Sequence, residues 1–230
     1  MTGDKLLLIY SENIIKEYNK KGIKPFIVSE VKCSQVLYDT INENGGIAVM
    51  CKTGHGYIKS KMRETGAVLA GEMSGHTFFK DTYYGFDDAV YAGCRIIEIL
   101  AEKKKQNPQF KISDMLKPFD AVYSSPEVRL SCPNSLKSVT LESFQAVIAE
   151  NPNFFGTKIK DIITIDGMRI IFENPSGFAL IRQSNTEPVF TLRFEADTKE
   201  MAEKYEDLMV NKLMEIIQNA SKNLAGVGVD

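Results

Sequence analysis

Residues 47–76 read IAVMCKTGHGYIKSKMRETGAVLAGEMSGH. Ile47-Ala48-Val49-Met50 is a short apolar run that ends at a glycine-bearing turn. Residues 57–64 then carry Ile58 and Met62 at helical spacing, Gly66 closes that helix, and Ala67-Val68-Leu69-Ala70 is a second apolar run. Short unbroken apolar strands between helices predict a parallel sheet covered on both faces, since a strand buried on both sides is apolar at every position. The pattern extends both ways from this stretch. Residues 4–18 show a helical spacing (Leu7, Leu8, Ile14, Ile15, Tyr18), Pro25-Phe26-Ile27-Val28 a strand, residues 34–42 a helix, and residues 87–103 a long helix with Ala89, Val90, Ile96, Ile97 and Leu100.

The alternation stops at Lys103-Lys104-Lys105-Gln106-Asn107-Pro108, a charged helix end followed by a stop, and residues 112–118 read as a connector. Beyond it strands come in series. Residues 127–131 predict a strand, 141–150 a helix, 162–165 a strand, Asp166-Gly167 a hairpin turn, 168–172 a strand, 174–177 a loop, and 178–182 and 189–195 two further strands before a terminal helix over 198–218. The expected organisation is therefore an α/β domain with a mostly parallel, doubly covered sheet over 1–107, a linker over 108–118, and an α+β domain with an antiparallel sheet, helices on one face, over 119–230.

Composition sets bounds on function. The 230 residues are 43% hydrophobic and 25% charged, ordinary values for a globular chain able to bury a core of its own. With 28 Lys+Arg against 30 Asp+Glu the net charge is -2, which excludes a bulk electrostatic attraction for nucleic acid or an anionic membrane. Any anion site must be local. No apolar run approaches the roughly 18 residues of a membrane span, and the run at residues 6–10 is too short for a signal sequence. Cys33, Cys51, Cys94 and Cys132 form no CxxC pair, read as small buried hydrophobes, and predict a reducing, cytoplasmic setting.

Both histidines fall after predicted strands. His55 lies in Lys52-Thr53-Gly54-His55-Gly56, and His76 closes Gly71-Glu72-Met73-Ser74-Gly75-His76. Ligands of parallel α/β sheets sit at the carboxyl ends of strands, and glycines there let backbone approach them. The second segment offers a carboxylate (Glu72), a hydroxyl (Ser74) and an imidazole (His76) on one tight loop, a set suited to the adjacent hydroxyls of a sugar ring. Taken alone, Ser74 would be read as a helix N-cap. A zinc reading fails, because two histidines and a glutamate without HExxH spacing are too weak a signal, so no metal ligands are expected.

A second constellation is Arg182-Gln183-Ser184-Asn185-Thr186-Glu187-Pro188. Arg182 is a charged fork suited to two phosphate oxygens, Ser184, Asn185 and Thr186 add side-chain donors, and the turn's backbone N–H groups could form an anion nest. A plain polar β-turn is the alternative.

GEMSGH (71–76), GFDDAVYA (85–92) and RQSNTEP (182–188) together resemble the sugar-binding and phosphate-binding loops of the α-D-phosphohexomutases, the phosphomannomutases and phosphoglucomutases. Val31-Lys32-Cys33 and Lys52-Thr53-Gly54-His55 resemble further active-site segments, with Lys32 and His55 at the matching positions. The resemblance runs over nearly the whole chain in the right order. It departs at Gly56, where a serine is common, and at Tyr83-Tyr84, where other aromatics are usual.

The resemblance implies a four-domain enzyme around a cleft: a phosphoserine in the first domain, an Asp-Gly-Asp-type magnesium loop in the second, the sugar loop in the third and the phosphate loop in the fourth. This chain matches the third and fourth. It has no serine in a His-Asn-Pro setting, its Asp166-Gly167 pair lacks a second acid, and Thr2-Gly3-Asp4-Lys5 resembles the segment shortly after the metal loop. The implied roles are sugar binding by Glu72, Ser74 and His76, phosphate binding by Lys32, Arg182, Ser184, Asn185 and Thr186, and proton transfer or substrate contact by His55. Mg2+ is implied for the full-length enzyme, with no ligands here. The expected partners are a hexose phosphate and a separately encoded N-terminal half. The alternative is a non-catalytic phosphosugar-binding remnant of a split or truncated gene.

Overall fold

The computed structural model describes residues 1–173 and 177–226, the last three by their backbone alone. The loop expected at 174–177 thus falls largely outside the described residues. The chain divides into two compact units, Met1–Ala121 and Val122–Asp230.

In the first unit the order is α1 (Gly3–Asn19), β1 (Phe26–Glu30), α2 (Gln35–Glu43), β2 (Ile47–Cys51), α3 (His55–Thr65), β3 (Leu69–Gly71), β4 (Thr77–Phe79) and α4 (Ala89–Gln106). The sheet runs β2-β1-β3-β4. β1 pairs in parallel with β2 and β3, and β4 adds an antiparallel edge. Strand alternation divides the apolar residues between two cores. Ile27, Leu69 and Phe79 join Leu7, Leu8, Ile14 and Ile15 of α1 and Leu37 and Ile41 of α2, whereas Val28, Ala70 and Phe78 join Ile58 and Met62 of α3. The sheet is covered on both faces, as the unbroken apolar runs require. The Ser34 hydroxyl caps α2 by accepting from the Val36 N–H at 3.2 Å, and Gly66 in the left-handed region (φ 72°) closes α3.

Three expectations need correction. Thr77–Phe79 forms a strand that the sequence did not announce, because three residues carry no period. Ile112–Ala121 is not a connector but a 3₁₀ segment whose Met115 and Phe119 enter the core beside α1, so the division between the units falls after Ala121 rather than over 108–118. Cys94 is exposed, unlike Cys33, Cys51 and Cys132, because it lies on the outer side of α4 with Val90 and Ile97.

The second unit contains β5 (Tyr123–Ser124), β6 (Val128–Ser131), α5 (Lys137–Glu150), β7 (Ile159–Ile163), β8 (Met168–Phe172), β9 (Gly177–Gln183), β10 (Val189–Ala196) and α6 (Lys199–Gly226). Its antiparallel sheet runs β5-β10-β9-β8-β7, with β6 also on β10. Alternate residues of β8, β9 and β10 (Met168, Ile170, Phe172; Ala179, Ile181; Phe190, Leu192, Phe194) share one core with Phe144 and Ile148 of α5 and Tyr205, Met209 and Leu213 of α6. The intervening positions hold buried Arg169, Arg193 and Glu195; the Arg169 guanidinium lies 3.6 Å from the centre of the Phe178 ring.

Candidate functional site

The loops at the carboxyl ends of β1, β2 and β3 are tied together by one buried carboxylate. Glu30, the last residue of β1, has no exposed surface. Its Oε2 accepts from the Thr53 hydroxyl at 2.7 Å and the Lys32 N–H at 2.9 Å, and its Oε1 accepts from the Met73 N–H at 3.2 Å. The Lys32 ammonium stands 4.0 Å from Oε1. Because β1 lies between β2 and β3, a single side chain at its end reaches both neighbouring loops. The first turn of α1 adds a second brace. Its Gly3 N–H donates to the Met73 carbonyl at 2.9 Å, and buried Asp4 accepts from the Ser34 N–H at 3.1 Å. A Cβ on Gly3 would stand 2.0 Å from the Glu72 carbonyl oxygen, so only glycine permits this approach.

The loop so held is residues 71–76. It is closed by the Glu72 N–H donating to the His76 carbonyl and the Gly75 N–H donating to the Glu72 carbonyl, each at 3.0 Å. Ser74 does not cap a helix; its hydroxyl donates to Glu72 Oε2 at 3.2 Å. Glu72 is 6% exposed, and its Oε1 is buried with no hydrogen-bond partner among the described residues. His76 Nδ1 lies 2.6 Å from Asp87 Oδ2, while Asp87 Oδ1 accepts from the Thr77 N–H at 3.2 Å. An ionised carboxylate only accepts, so Nδ1 is the donor of this pair and Nε2 is the ring nitrogen that Asp87 does not engage. His55, on the first turn of α3, sets its ring edge-on to His76 with centroids 4.4 Å apart, and edge-on to Phe78 at 5.2 Å. Its Nε2 is 3.9 Å from Asp87 Oδ2.

The second unit carries the arginine loop. Arg182, near the end of β9, is 7% exposed and donates from Nε to Asp166 Oδ2 at 3.0 Å. The Ser184 hydroxyl accepts from the Thr186 N–H at 3.4 Å and the Glu187 N–H at 3.2 Å. Those two N–H groups are therefore turned into the loop, and the nest expected from the sequence is left to the side chains and Arg182. Asn185 and Thr186 are exposed. From behind, the nearly buried Lys137 donates to the carbonyls of Ser184 at 2.8 Å and Glu187 at 2.5 Å. Glu187 also pairs with Arg129.

The fold thus brings His55, Glu72, Ser74 and His76 together and sets Lys32 beside Glu30 in the same unit. Arg182, Ser184, Asn185 and Thr186 form a separate group in the second unit. Glu30, Asp87 and Lys137 were not singled out by sequence reasoning. Asp87 had a signal: it is half of an Asp-Asp pair of which Asp88 alone explains the cap of α4, accepting from the Val90 and Tyr91 N–H groups. Glu30 is a charge at the end of an apolar strand, and Lys137 had no local signal.

An α/β/α unit with an acid-and-imidazole loop at its strand ends is followed by an antiparallel unit with an arginine-led turn, and comparison gives this pair of units a family. Residues 2–119 match the family model described as phosphoglucomutase/phosphomannomutase, alpha/beta/alpha domain III, and residues 127–212 match the C-terminal domain of the same family. The chain belongs to the phosphoglucomutase/phosphomannomutase family. It is 41% identical over 204 residues to a phosphoglucomutase of Neisseria gonorrhoeae, covering 89% of this chain and 41% of that protein. It is 37% identical over 210 residues to a phosphomannomutase/phosphoglucomutase of Pseudomonas aeruginosa, covering 91% of this chain and 42% of that one. A crystal structure of a family protein from Burkholderia thailandensis superposes with a TM-score of 0.76 at 36% identity, over 94% of this chain and 42% of that one. The chain spans about two fifths of the length of these relatives.

Magnesium, implied by the family, takes oxygen ligands in near-octahedral geometry. Among the described residues the one close-set group of three ligand side chains is His55, Glu72 and His76, which is two parts imidazole and does not fit it. Asp166 is turned to Arg182 instead.

Proposed function

We propose that this chain supplies the sugar-holding and phosphate-holding part of a phosphohexomutase that interconverts hexose 1-phosphate and hexose 6-phosphate. The observation that carries the proposal is Glu72. Its buried carboxylate has one oxygen without a partner, held rigidly between Ser74 and His76 at a strand end. A buried acceptor left unmet costs about 1–3 kcal/mol, and a sugar hydroxyl removes that cost on binding. Arg182 is the anchor for the phosphate that does not react, with Ser184, Asn185 and Thr186 as further contacts, and Lys32 is the phosphate-binding candidate of the first unit. Arg182 gives Nε to Asp166, so its terminal fork serves two phosphate oxygens.

In the proposed reaction the phosphoryl group passes from a phosphoserine to a sugar oxygen. The serine O–P bond breaks as the sugar O–P bond forms, the sugar hydroxyl proton goes to a base and the departing serine oxygen takes one up; the bisphosphate then turns over and returns its other phosphoryl group to the serine by the reverse step. His55 is the candidate for that proton or for a substrate contact. Such transfer depends mainly on positioning and charge stabilisation. The phosphoserine and the magnesium loop belong to segments this sequence does not contain, so the proposal holds these 230 residues inactive alone and active only with an N-terminal half. The four free thiols support the reducing, cytoplasmic setting that goes with this reading.

The test is a titration with a hexose 6-phosphate, read by amide chemical shifts, and a mutase assay. Shifts confined to Lys32, His55 and residues 72–76 and 182–187 support the proposal, and shifts elsewhere overturn it. Conversion by the chain alone would refute its inactivity. Binding that no N-terminal half turns into activity favours the non-catalytic remnant.

A further inference from the structure

We infer that His55, Glu72 and His76 form a binding site for a divalent transition-metal ion of the zinc class. One ligand atom from each lies within 4.8 Å of the others. Ligands around tetrahedral zinc, at about 2.0–2.1 Å from the ion, stand roughly 3.4 Å apart. The remaining closure falls to the two half-exposed imidazoles, and to His55 before His76, which Asp87 holds. The Glu72 backbone is pinned on both sides within the loop, and its buried Oε1 has no partner to give up on turning to an ion.

The orientation of one ligand is already set. The Asp87 carboxylate at 2.6 Å engages His76 Nδ1 and leaves Nε2 for an ion, the carboxylate–histidine arrangement that raises the basicity of a metal ligand. Two imidazole nitrogens and one carboxylate oxygen suit zinc, cobalt or nickel and leave a fourth position open; they do not suit magnesium. Spacing in the sequence could not show this site. Its ligands come from the first turn of α3 and from the β3–β4 loop, not from one helix. The Glu72 oxygen that would meet the ion is the one that would meet a sugar hydroxyl, so ion and sugar exclude each other. Ion binding stands on the geometry of His55, Glu72 and His76 alone, and the exclusion rests on the proposed sugar reading.

The experiment uses the full 230-residue chain with Co2+ as a spectroscopic probe and Zn2+ as competitor. The expected result is a saturable visible absorption at one equivalent of Co2+ with tetrahedral intensity. One equivalent of Zn2+ abolishes it, and a large excess of Mg2+ does not. Cys94→Ser leaves it unchanged. Glu72→Gln and His76→Gln each weaken binding at least tenfold, and Asp87→Asn weakens it about ten- to a hundredfold, as loss of a carboxylate behind a ligand histidine does. Far-UV dichroism checks each fold, and His55→Asn, at an exposed position, serves where another variant fails to fold. Absorption that survives these substitutions or depends on Cys94, or no saturable binding below millimolar Co2+, overturns the site. If the ion binds but a hexose phosphate neither displaces it nor shifts residues 72–76, the sugar reading fails and the metal site stands. If the sugar binds and the ion does not, the reverse holds.

Discussion

Arg182 Nε donates to Asp166 Oδ2 at 3.0 Å, which ties the guanidinium at the end of β9 to the turn between β7 and β8. The relationship depends on Gly167, at φ 84°, where a Cβ would stand 2.1 Å from the Ile181 carbonyl oxygen. The hairpin turn is what carries Asp166 to the arginine. A charge-assisted contact is worth about 1.5–3 kcal/mol, so Arg182→Ala is expected to weaken hexose-phosphate binding about ten- to a hundredfold. Arg182→Lys recovers part of this, since an ammonium keeps the charge and loses the fork. Unchanged affinity in Arg182→Ala by titration would leave this segment a turn and nothing more.

Lys137 holds the same loop from behind through two carbonyls. Lys137→Met keeps the stem and removes the charged donor. It is expected to cost on the order of 1.5–3 kcal/mol in denaturant unfolding. The amides of Thr186 and Glu187, which rest on Ser184 Oγ, should then exchange faster with solvent. Native exchange rates in this variant would show that the loop stands without its clamp.

Gly3→Ala places a methyl group against backbone atoms on both sides of the 71–76 loop, 2.0 Å from the Glu72 oxygen and 2.5 Å from the Gly75 nitrogen. Backbone cannot rotate away as a side chain can, so the expected destabilisation is about 1–3 kcal/mol. A melting temperature equal to that of the unaltered chain would mean that α1 is not seated on this loop.

The cap of α4 predicts a dependence on pH. The Tyr91 N–H, and then the Tyr83 hydroxyl and the Val90 N–H, hold the Asp88 carboxyl below its ordinary range, against an opposing effect of burial. A carboxyl lowered in the folded state contributes stability above its unfolded pKa and loses it as the pH falls through the lower folded value. Tyr83, raised above the ordinary tyrosine value first by its bond to Asp88, contributes below its unfolded pKa and loses this as the pH rises through the folded one. The difference in melting temperature between the unaltered chain and Asp88→Asn should therefore be steady near neutrality. It should shrink below about pH 4 and above about pH 10. A difference that stays constant down to pH 3 would remove the charge from this account.

What the sequence determined by itself was local. Unbroken apolar runs announced a doubly covered sheet, Asp166-Gly167 announced a hairpin, and GEMSGH and RQSNTEP announced the loops of a family, because periodicity, turn chemistry and motif each act within a few residues. Even so, Thr77–Phe79 was too short to carry a period, and the packing of Met115 and Phe119 beside α1 could not be read from the connector-like residues around them.

Tertiary structure alone decided which of these pieces meet. Glu30 braces Thr53 and Met73 because β1 lies between β2 and β3, an order that no spacing along the chain records. His55 faces His76, and Asp87 orients His76, because β4 turns back antiparallel onto β3 and returns Asp87 to the strand ends. Lys137 reaches residues 47 and 50 positions away. Each of these contacts joins residues distant in the chain, and its ordering cost is met by the burial of the whole sheet rather than by any segment in it.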